Sequence, residues 1–383
     1  MFRNVFETLT LIAAAAVQWL LYRKGVPKDC APKRILVVKL DHVGDVLLAT
    51  PVFANLRRAY PNAELHALAG KWSRVILENQ PAVDEVIEYN SPFFCRAGEQ
   101  PTRLSEAVRL YRRLRREKYE LVVELRCDWR IVCFALLRIA PRQIGRASLQ
   151  VANKLGFPRF SGMHETVRNL DVLNRADIPT PVQTPTFPVT AEDKKWAADF
   201  LAARGINAAQ RETDSRRTVE PLVAIHPGSP VALKRWRPER YAKLADWLVA
   251  QKRANIIFVG VNAEMPIIAE IQALMRERAA NIAGKTSLTQ LASILQLCQL
   301  FIGNDSGPMH LAAAVGTPTI GLYGPGDPGR FGPVGAQCHT LRRKPDCPPC
   351  LGTACRFGGE GCMSEIEVVD VIQAIDLRDK KLT

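Results

Sequence analysis

No apolar run in this chain reaches the roughly 20 residues of a membrane-spanning helix. The nearest approach, residues 9–22, follows Glu7 and is broken by Gln18. The start of the chain also lacks a clear small-residue cleavage site, which argues against a removed secretory leader. Trp19 and Tyr22, followed by Arg23 and Lys24, resemble an interfacial anchor. Residues 1–25 are therefore expected to form a helix lying on a membrane surface, with packing on the protein body or a true span as alternatives. Acidic residues are in deficit, 38 against 52 Lys and Arg, which leaves a net charge of +14. The imbalance is concentrated early: 28 basic and 18 acidic residues up to position 190, then 24 and 20. Such a basic half suits nucleic acid, anionic lipid or a phosphorylated acceptor. No nucleic-acid-binding module is recognisable, which argues against the first. No fixed-period repeat is present either, but the chain reads as two similar α/β halves.

What is there is ordinary globular material: 383 residues, 47% hydrophobic and 23% charged, enough for two cores. Cysteine is not scarce, with ten in all. Cys30, Cys95, Cys127, Cys133, Cys298 and Cys338 are scattered, several in apolar segments, as buried reduced thiols are. The other four, Cys347, Cys350, Cys355 and Cys362, fall within the C-terminal tail. Their spacing is compatible with a small structural zinc knuckle, with reduced thiols or with paired disulfides.

The most informative stretch is FIGNDSGPMHLAAAVGTPTIGLYGP, residues 301–325. It reads as strand, glycine turn, short helix, strand, glycine turn. Pro308 stands where a first helical residue belongs, Asp305 or Ser306 is placed to cap, and Gly316 with Pro318 ends the helix. A helix start aimed at the tip of a parallel sheet offers amides and a positive dipole end to a phosphate or diphosphate. Asp305 cannot favour a phosphate and is expected to face sugar hydroxyls.

Earlier in the chain, KRILVVKL is a continuous apolar strand of the buried parallel kind. The loop DHVGD follows, then a helix over 46–59. Further strands are expected at 63–69, 83–89 and 121–125, and a helix at 104–118 carries Arg109, Arg112, Arg113, Arg115, Arg116 and Lys118. That face is either simply solvated or contacts an anion. The DHVGD loop has one glycine, so it lacks the G-x-G-x-x-G fingerprint of a nicotinamide dehydrogenase. Its two carboxylates sit where α/β sheets put ligands. Asp45 is the candidate general base, with a helix cap as its competing role. In the second half a strand at 222–226 leads into His226-Pro227-Gly228-Ser229-Pro230 and the basic Lys234-Arg235-Trp236-Arg237. Gly228 and Ser229 are placed to cradle a phosphate, and Lys234 to meet a departing diphosphate. A strand at 255–260 and helices at 238–251, 265–278 and 288–298 precede the central stretch.

These motifs, K-x-D-x-x-G-D-V-L-x-x-T-P from Lys39, H-P-G-S with K-R-W, and G-N-D-S-G-P-M-H-L-A-A-A-x-G-T-P, closely resemble glycosyltransferase family 9, the ADP-heptose:lipopolysaccharide heptosyltransferases. The resemblance runs from about Lys33 to the C-terminus. It implies an α/β, GT-B fold, two Rossmann-like domains facing across a cleft. It also implies an inverting, metal-independent transfer of heptose from ADP-heptose to the phosphorylated inner core of lipopolysaccharide at the inner face of the inner membrane, with no cofactor required. By motif, Asp45 takes the catalytic base and Lys234 the diphosphate lysine. Ser306 and Gly307 form the phosphate turn, and Asp305 and His310 bind the donor with Ser229. Thr286, Ser287 and Leu288 fall at the adenine segment, with Glu264 by the ribose. The basic helix, through Arg109, Arg112, Arg113 and Arg116, suits the phosphorylated acceptor.

The expected organisation is an N-terminal apolar helix over 1–25, an acceptor domain over 30–190, interdomain connection within 191–221, a nucleotide-sugar domain over 222–345, and a cysteine-rich tail over 346–383. The tail ends in a closing helix at 365–377, which in GT-B proteins commonly crosses back to the first domain. The competing readings are a family 9 enzyme with another nucleotide sugar or surface glycan, a sugar-nucleotide epimerase, and a non-catalytic protein that binds anionic lipid. Against the epimerase, only Asp45 is a convincing acid/base group.

Overall fold

The computed structural model describes residues 31–90, 102–126, 139–146, 162–206, 220–343, 350, 355 and 361–379. The first strand, β1 (Arg34–Lys39), has Ile35 through Lys39 all buried, because both faces of the sheet are covered. After it come α1 (Val43–Leu47), α2 (Thr50–Ala59), β2 (Glu64–Ala69), α3 (Arg74–Glu78) and β3 (Glu85–Glu88). They are followed by α4 (Leu104–Arg116), β4 (Leu121–Glu124), β5 (Arg142–Gly145) and α5 (Glu165–Asn174). The strands form one parallel sheet in the order β3-β2-β1-β4-β5. Leu36, Val38 and Leu40 meet Leu68, Ile87, Leu114 and Val122 in its core.

The single helix expected after β1 is two. Pro51 lacks the N–H that would continue the first helix, and its ring would clash with the Leu47 carbonyl. The chain stops at Leu47 and restarts at Thr50, whose hydroxyl donates to Leu47 O at 2.8 Å.

The chain divides into two compact units at Pro185/Thr186, inside a stretch that holds Pro179, Pro181, Pro185 and Pro188. Helix α6 (Ala191–Ala202), which the sequence places in the connection, is part of the second unit. Its inward Ala197 and Leu201 are fully buried, and it packs against the helix Leu288–Leu297 of the same unit. Ahead of it, buried Phe187 donates its N–H to Ala314 O at 3.1 Å.

The second unit continues with β6 (Leu222–His226), α7 (Pro238–Lys252), β7 (Asn255–Phe258), α8 (Met265–Leu274), β8 (Ala280–Asn281), α9 (Leu288–Leu297) and β9 (Leu300–Asn304). Next come α10 (Gly307–Ala314), β10 (Thr319–Leu322), α11 (Pro328–Phe331), β11 (Cys338–Leu341) and α12 (Val368–Asp379). Its sheet is also parallel, ordered β11-β10-β9-β6-β7-β8. The reversal of winding at β6 and β9 puts the loops after these strands at a topological switch point, where open α/β sheets bind ligands. Helix α10 ends as expected: Gly316 adopts φ +84°, and Thr317 N–H closes back on Ala312 O at 2.9 Å.

The closing helix α12 packs on α7 and β11 of the second unit. Lys252 pairs with Asp376 at 2.9 Å, and the Trp236 indole donates to Ile366 O at 2.8 Å. Among the described residues no helix is long and apolar enough to cross a membrane. The expected helix over 1–25 lies outside them.

Candidate active site

The strongest constellation in the second unit gathers at the carboxyl ends of β6, β7 and β9. Asn304, the last residue of β9, is fully buried. Its side-chain carbonyl accepts from Trp236 N–H at 3.2 Å and Tyr241 OH at 2.9 Å, while its NH2 donates to Pro227 O at 2.8 Å. One amide thus staples the H-P-G-S loop and the segment after Lys234 to the turn that opens α10. That turn is extended at Ser306, with φ −161° and ψ 167°. The Ser306 hydroxyl makes no cap to α10. It lies 2.9 Å from Asn304 O and 3.0 Å from His226 Nδ1, either of which can accept its one proton. The expected cap is therefore absent, and the Gly307 and Met309 amides of the first turn have no side-chain cap, as suits a helix start that receives a phosphate.

Lys234 closes a short 3-10 turn and donates to Asp305 Oδ2 at 2.5 Å. The sequence expectation has Asp305 facing sugar hydroxyls; here its carboxylate holds the lysine. Ser229 is buried, its hydroxyl accepts from Val231 N–H at 3.3 Å, and its carbonyl accepts from Arg235 Nε at 2.7 Å. Gly228 is required by a neighbour: a Cβ there would run into the Glu264 carboxylate. Burial works against the ionised form of Glu264, but the hydrogen bond and charge of His226, the Val261 N–H and the Arg235 charge outweigh it. The Glu264 pKa lies below its ordinary value.

In the first unit, Asp45 stands in the first turn of α1, half-buried at the carboxyl end of β1. It caps nothing: among the described residues no hydrogen bond to its carboxylate is formed, and α1 has no side-chain cap. Burial, followed by the charge of Asp41, raises its pKa to about 6 against the opposing pull of Lys39; Glu165 adds to the rise and Arg126 opposes it. The neighbours are themselves fixed. Lys39, buried in the strand, pairs with Asp41 at 2.9 Å. Arg126 binds Asp41 and donates to Leu40 O at 2.5 Å. Behind them Glu165 on α5 pairs with Arg146, which also donates to Leu125 O at 2.9 Å and to Asn169 Oδ1 at 3.1 Å. A half-buried carboxylate that is half-ionised near pH 6 can accept a proton from a hydroxyl at neutral pH.

The family model for glycosyltransferase family 9 (heptosyltransferase) matches residues 107–360, well over half of the chain. The chain belongs to glycosyltransferase family 9. Lipooligosaccharide heptosyltransferase 2 of Haemophilus influenzae is 30% identical over 324 residues, which cover 80% of this chain and 88% of the relative. Among solved structures, a family 9 glycosyl transferase from Veillonella parvula superposes with TM-score 0.76 at 24% identity, covering 90% of this chain and 97% of that one. The ADP-heptose lipopolysaccharide heptosyltransferase II of E. coli follows with TM-score 0.66 at 22% identity, covering 90% and 98%. The fold is that of these GT-B enzymes, as the motifs imply, and the chain is a glycosyltransferase.

The family 9 motifs separate into residues the structure gathers and residues it does not. Ser229, Lys234, Glu264, Asp305, Ser306 and Gly307 share one sheet end of the second unit, with His310 buried on α10. Ser287 is the N-cap of α9; its hydroxyl accepts from Gln290 N–H at 3.2 Å, and Gln290 answers at 2.9 Å. The hydroxyl is thus engaged in helix capping, flanked by half-buried Thr286 and Leu288 after β8.

The arginine helix does not join Asp45. Arg113 pairs with Glu85, the first residue of β3, and Glu117, just past α4, binds Arg34, the first residue of β1, at 2.8 Å. The C-terminal half of α4, with exposed Arg112 and Arg116, is therefore at the amino edge of the sheet, opposite the edge that carries Asp45. Arg109 is exposed and lies 4.0 Å from Glu106. Among the described residues no three histidine, cysteine or acidic side chains come together to hold a metal ion. Cys350, Cys355 and Cys362 are described; Cys347 lies outside, so the zinc expectation rests on spacing alone.

The sequence motifs contain His226, Asn304 and Lys39 but gave them no role, Asp41 was marked only as the second carboxylate of the DHVGD loop, and the Arg146–Glu165 pair was missed. Lys39 did leave a signal, since a lysine inside a buried apolar strand demands an anionic partner.

Proposed function

We propose that this chain transfers heptose from ADP-heptose to the inner core of lipopolysaccharide by a single displacement that inverts the anomeric carbon. The observation that carries the reading is Asp45, a half-buried carboxylate whose pKa is raised to about 6. The acceptor hydroxyl attacks the anomeric carbon, and its proton passes to Asp45. The new C–O bond forms as the bond from that carbon to the ADP oxygen breaks. Lys234 and the free amides of α10 take up the negative charge that grows on the diphosphate. Asp305, which holds Lys234 at 2.5 Å, releases it to the phosphates and turns to the sugar. Glu264 takes the ribose hydroxyls. No step passes through a metal ion.

The names of the relatives support the donor and acceptor: the E. coli neighbour is an ADP-heptose lipopolysaccharide heptosyltransferase, and the H. influenzae relative is a lipooligosaccharide heptosyltransferase. A lipid-linked acceptor would bring the enzyme to the inner face of the inner membrane, with residues 1–25 as the contact. The test is a mass shift of one heptose on a heptose-deficient core acceptor, with ADP-heptose and a panel of other nucleotide sugars. Gain of a different sugar would replace the donor. Conversion of the donor with no gain on the acceptor would make the chain an epimerase, and no turnover with any donor would overturn the reading. Metal analysis of the purified chain tests the zinc proposal for Cys347, Cys350, Cys355 and Cys362: one equivalent of zinc supports it, and its absence refutes it.

A further inference from the structure

Strand β6 lies between β7 and β9, so its last residue, His226, stands where the loops of both neighbours meet. The ring is 2% exposed. Its Nε2 is 3.1 Å from Glu264 Oε2 on the β7 loop, and its Nδ1 is 3.0 Å from Ser306 Oγ on the β9 turn. Both partners are otherwise constrained. Glu264 accepts from Val261 N–H at 2.9 Å, and its carboxylate lies against Gly228 and Gly260, where added Cβ atoms would collide with it. The Ser306 hydroxyl is also 2.9 Å from Asn304 O. That hydroxyl has one proton, given either to Asn304 O or to Nδ1. An ionised Glu264 only accepts, so Nε2–H donates to it in both arrangements. The imidazole therefore fixes the spacing between a carboxylate and a phosphate-facing turn that lie on different strands.

We infer that His226 is a positioning residue for the donor, holding Glu264 in register with the Ser306–Gly307 turn so that one nucleoside diphosphate is gripped at its ribose hydroxyls and its phosphates together. The inference rests on the second unit being the nucleotide-sugar site. A histidine in a mere structural role would set stability and would treat all nucleotides alike. A positioning histidine sets the preference for an intact ribose.

The experiment titrates ADP and 2′,3′-dideoxy-ADP into the purified chain by calorimetry. Wild type is expected to prefer ADP roughly tenfold, the gain from one hydrogen bond to a charged group. His226→Asn presents an amide near the Nδ1 position and loses the reach to Glu264, so the preference collapses to about onefold. His226→Gln presents its amide near the Nε2 position and retains most of the preference. Glu264→Gln matches His226→Asn. A wild-type preference that survives in His226→Asn overturns the inference, as does equal weakening of both nucleotides in His226→Asn and His226→Gln. If His226→Asn does not fold, the pair His226→Gln and Glu264→Gln decides: preference kept in the first and lost in the second supports the inference, and any other pattern overturns it. Failure of the wild type to bind either nucleotide would instead strike the donor-site reading itself.

Discussion

Replacing Asp45 with Asn should abolish turnover and stabilise the protein, with a pH dependence that identifies the cause. The carboxylate pKa rises from an ordinary 3.8 to about 6, first through burial and then through Asp41. The folded state thus holds the proton more tightly than the unfolded chain. The stability contributed by protonation is fully present below 3.8 and is lost as pH rises through about 6. At about 1.4 kcal/mol per tenfold change in proton affinity, the ionised carboxylate costs the fold up to ~3 kcal/mol at neutral pH and above. Asn keeps the shape and never ionises, so Asp45→Asn should gain up to that amount at pH 8, and the gain should shrink as pH falls below about 6. For a unit of this size each kcal/mol is worth roughly 2–4 °C in Tm. Melting of both proteins from pH 4 to pH 8 reads the difference. Turnover with ADP-heptose and core acceptor should fall about a thousandfold in the variant, and the wild-type rate should climb through an acid limb near pH 6. A stability difference that is flat with pH, a destabilised variant, or a variant that retains turnover would refute the reasoning.

Lys234→Ala should weaken ADP binding by about tenfold or more in calorimetry, since a charge-assisted phosphate contact is lost. Its Tm should shift little, because a partly exposed pair such as Lys234–Asp305 contributes at most about 1 kcal/mol. Glu165→Gln leaves Arg146 and Arg168 buried beside a neutral partner and should cost about 3–5 kcal/mol by chemical denaturation. Removing that negative charge should also move the acid limb of the rate to lower pH, since Glu165 raises the Asp45 pKa. Gly228→Ala displaces the Glu264 carboxylate and should lose stability by about 1–3 kcal/mol together with ADP affinity. Substituting Arg109, Arg112, Arg113 and Arg116 by Gln should leave turnover on a short, lipid-free acceptor within about twofold of wild type, because the C-terminal half of α4 lies at the opposite sheet edge from Asp45.

Strands with both faces covered were easy to read. KRILVVKL and LFIGN carry unbroken apolar runs, Ile35–Val38 and Leu300–Ile302, because parallel strands meet side chains above and below. β5 and α5 were not legible for the converse reason. β5 is RQIG, and α5 turns Glu165, Thr166, Arg168 and Asn169 inward, where Glu165 pairs with Arg146 and Arg168, and Asn169 accepts from Arg146. A helix whose buried face is charged looks like a solvated segment to any test of apolar periodicity. The donor-side turn was legible because its signals are local: Pro308 at the helix start, Gly316 at its end, small residues between strand and helix. What ties that turn to its neighbours was not. His226 reaches Glu264 across 38 residues and Ser306 across 80, distances at which no spacing rule applies.

The arginine helix shows how composition can be right about sign and silent about place. Six cations between Arg109 and Lys118 correctly announce a basic surface. Where that surface faces depends on the crossover. A helix joining two parallel strands runs back against them, so its C-terminal residues arrive at the strand starts. Glu85 and Arg34, each the first residue of its strand, meet Arg113 and Glu117 for that reason. Asp45 follows the end of β1 and so lies at the other edge. On the proposed mechanism, acceptor recognition near Asp45 falls to groups at the carboxyl edge. There the structure offers Arg126, fixed by Asp41 and Leu40 O, and the buried Lys39 beside it. The cations near Asp45 are fewer than those on α4, but ion pairs hold them in place, and on the proposed mechanism a fixed, partly buried cation such as Arg126 acts on an anionic acceptor with less solvent screening than an exposed one.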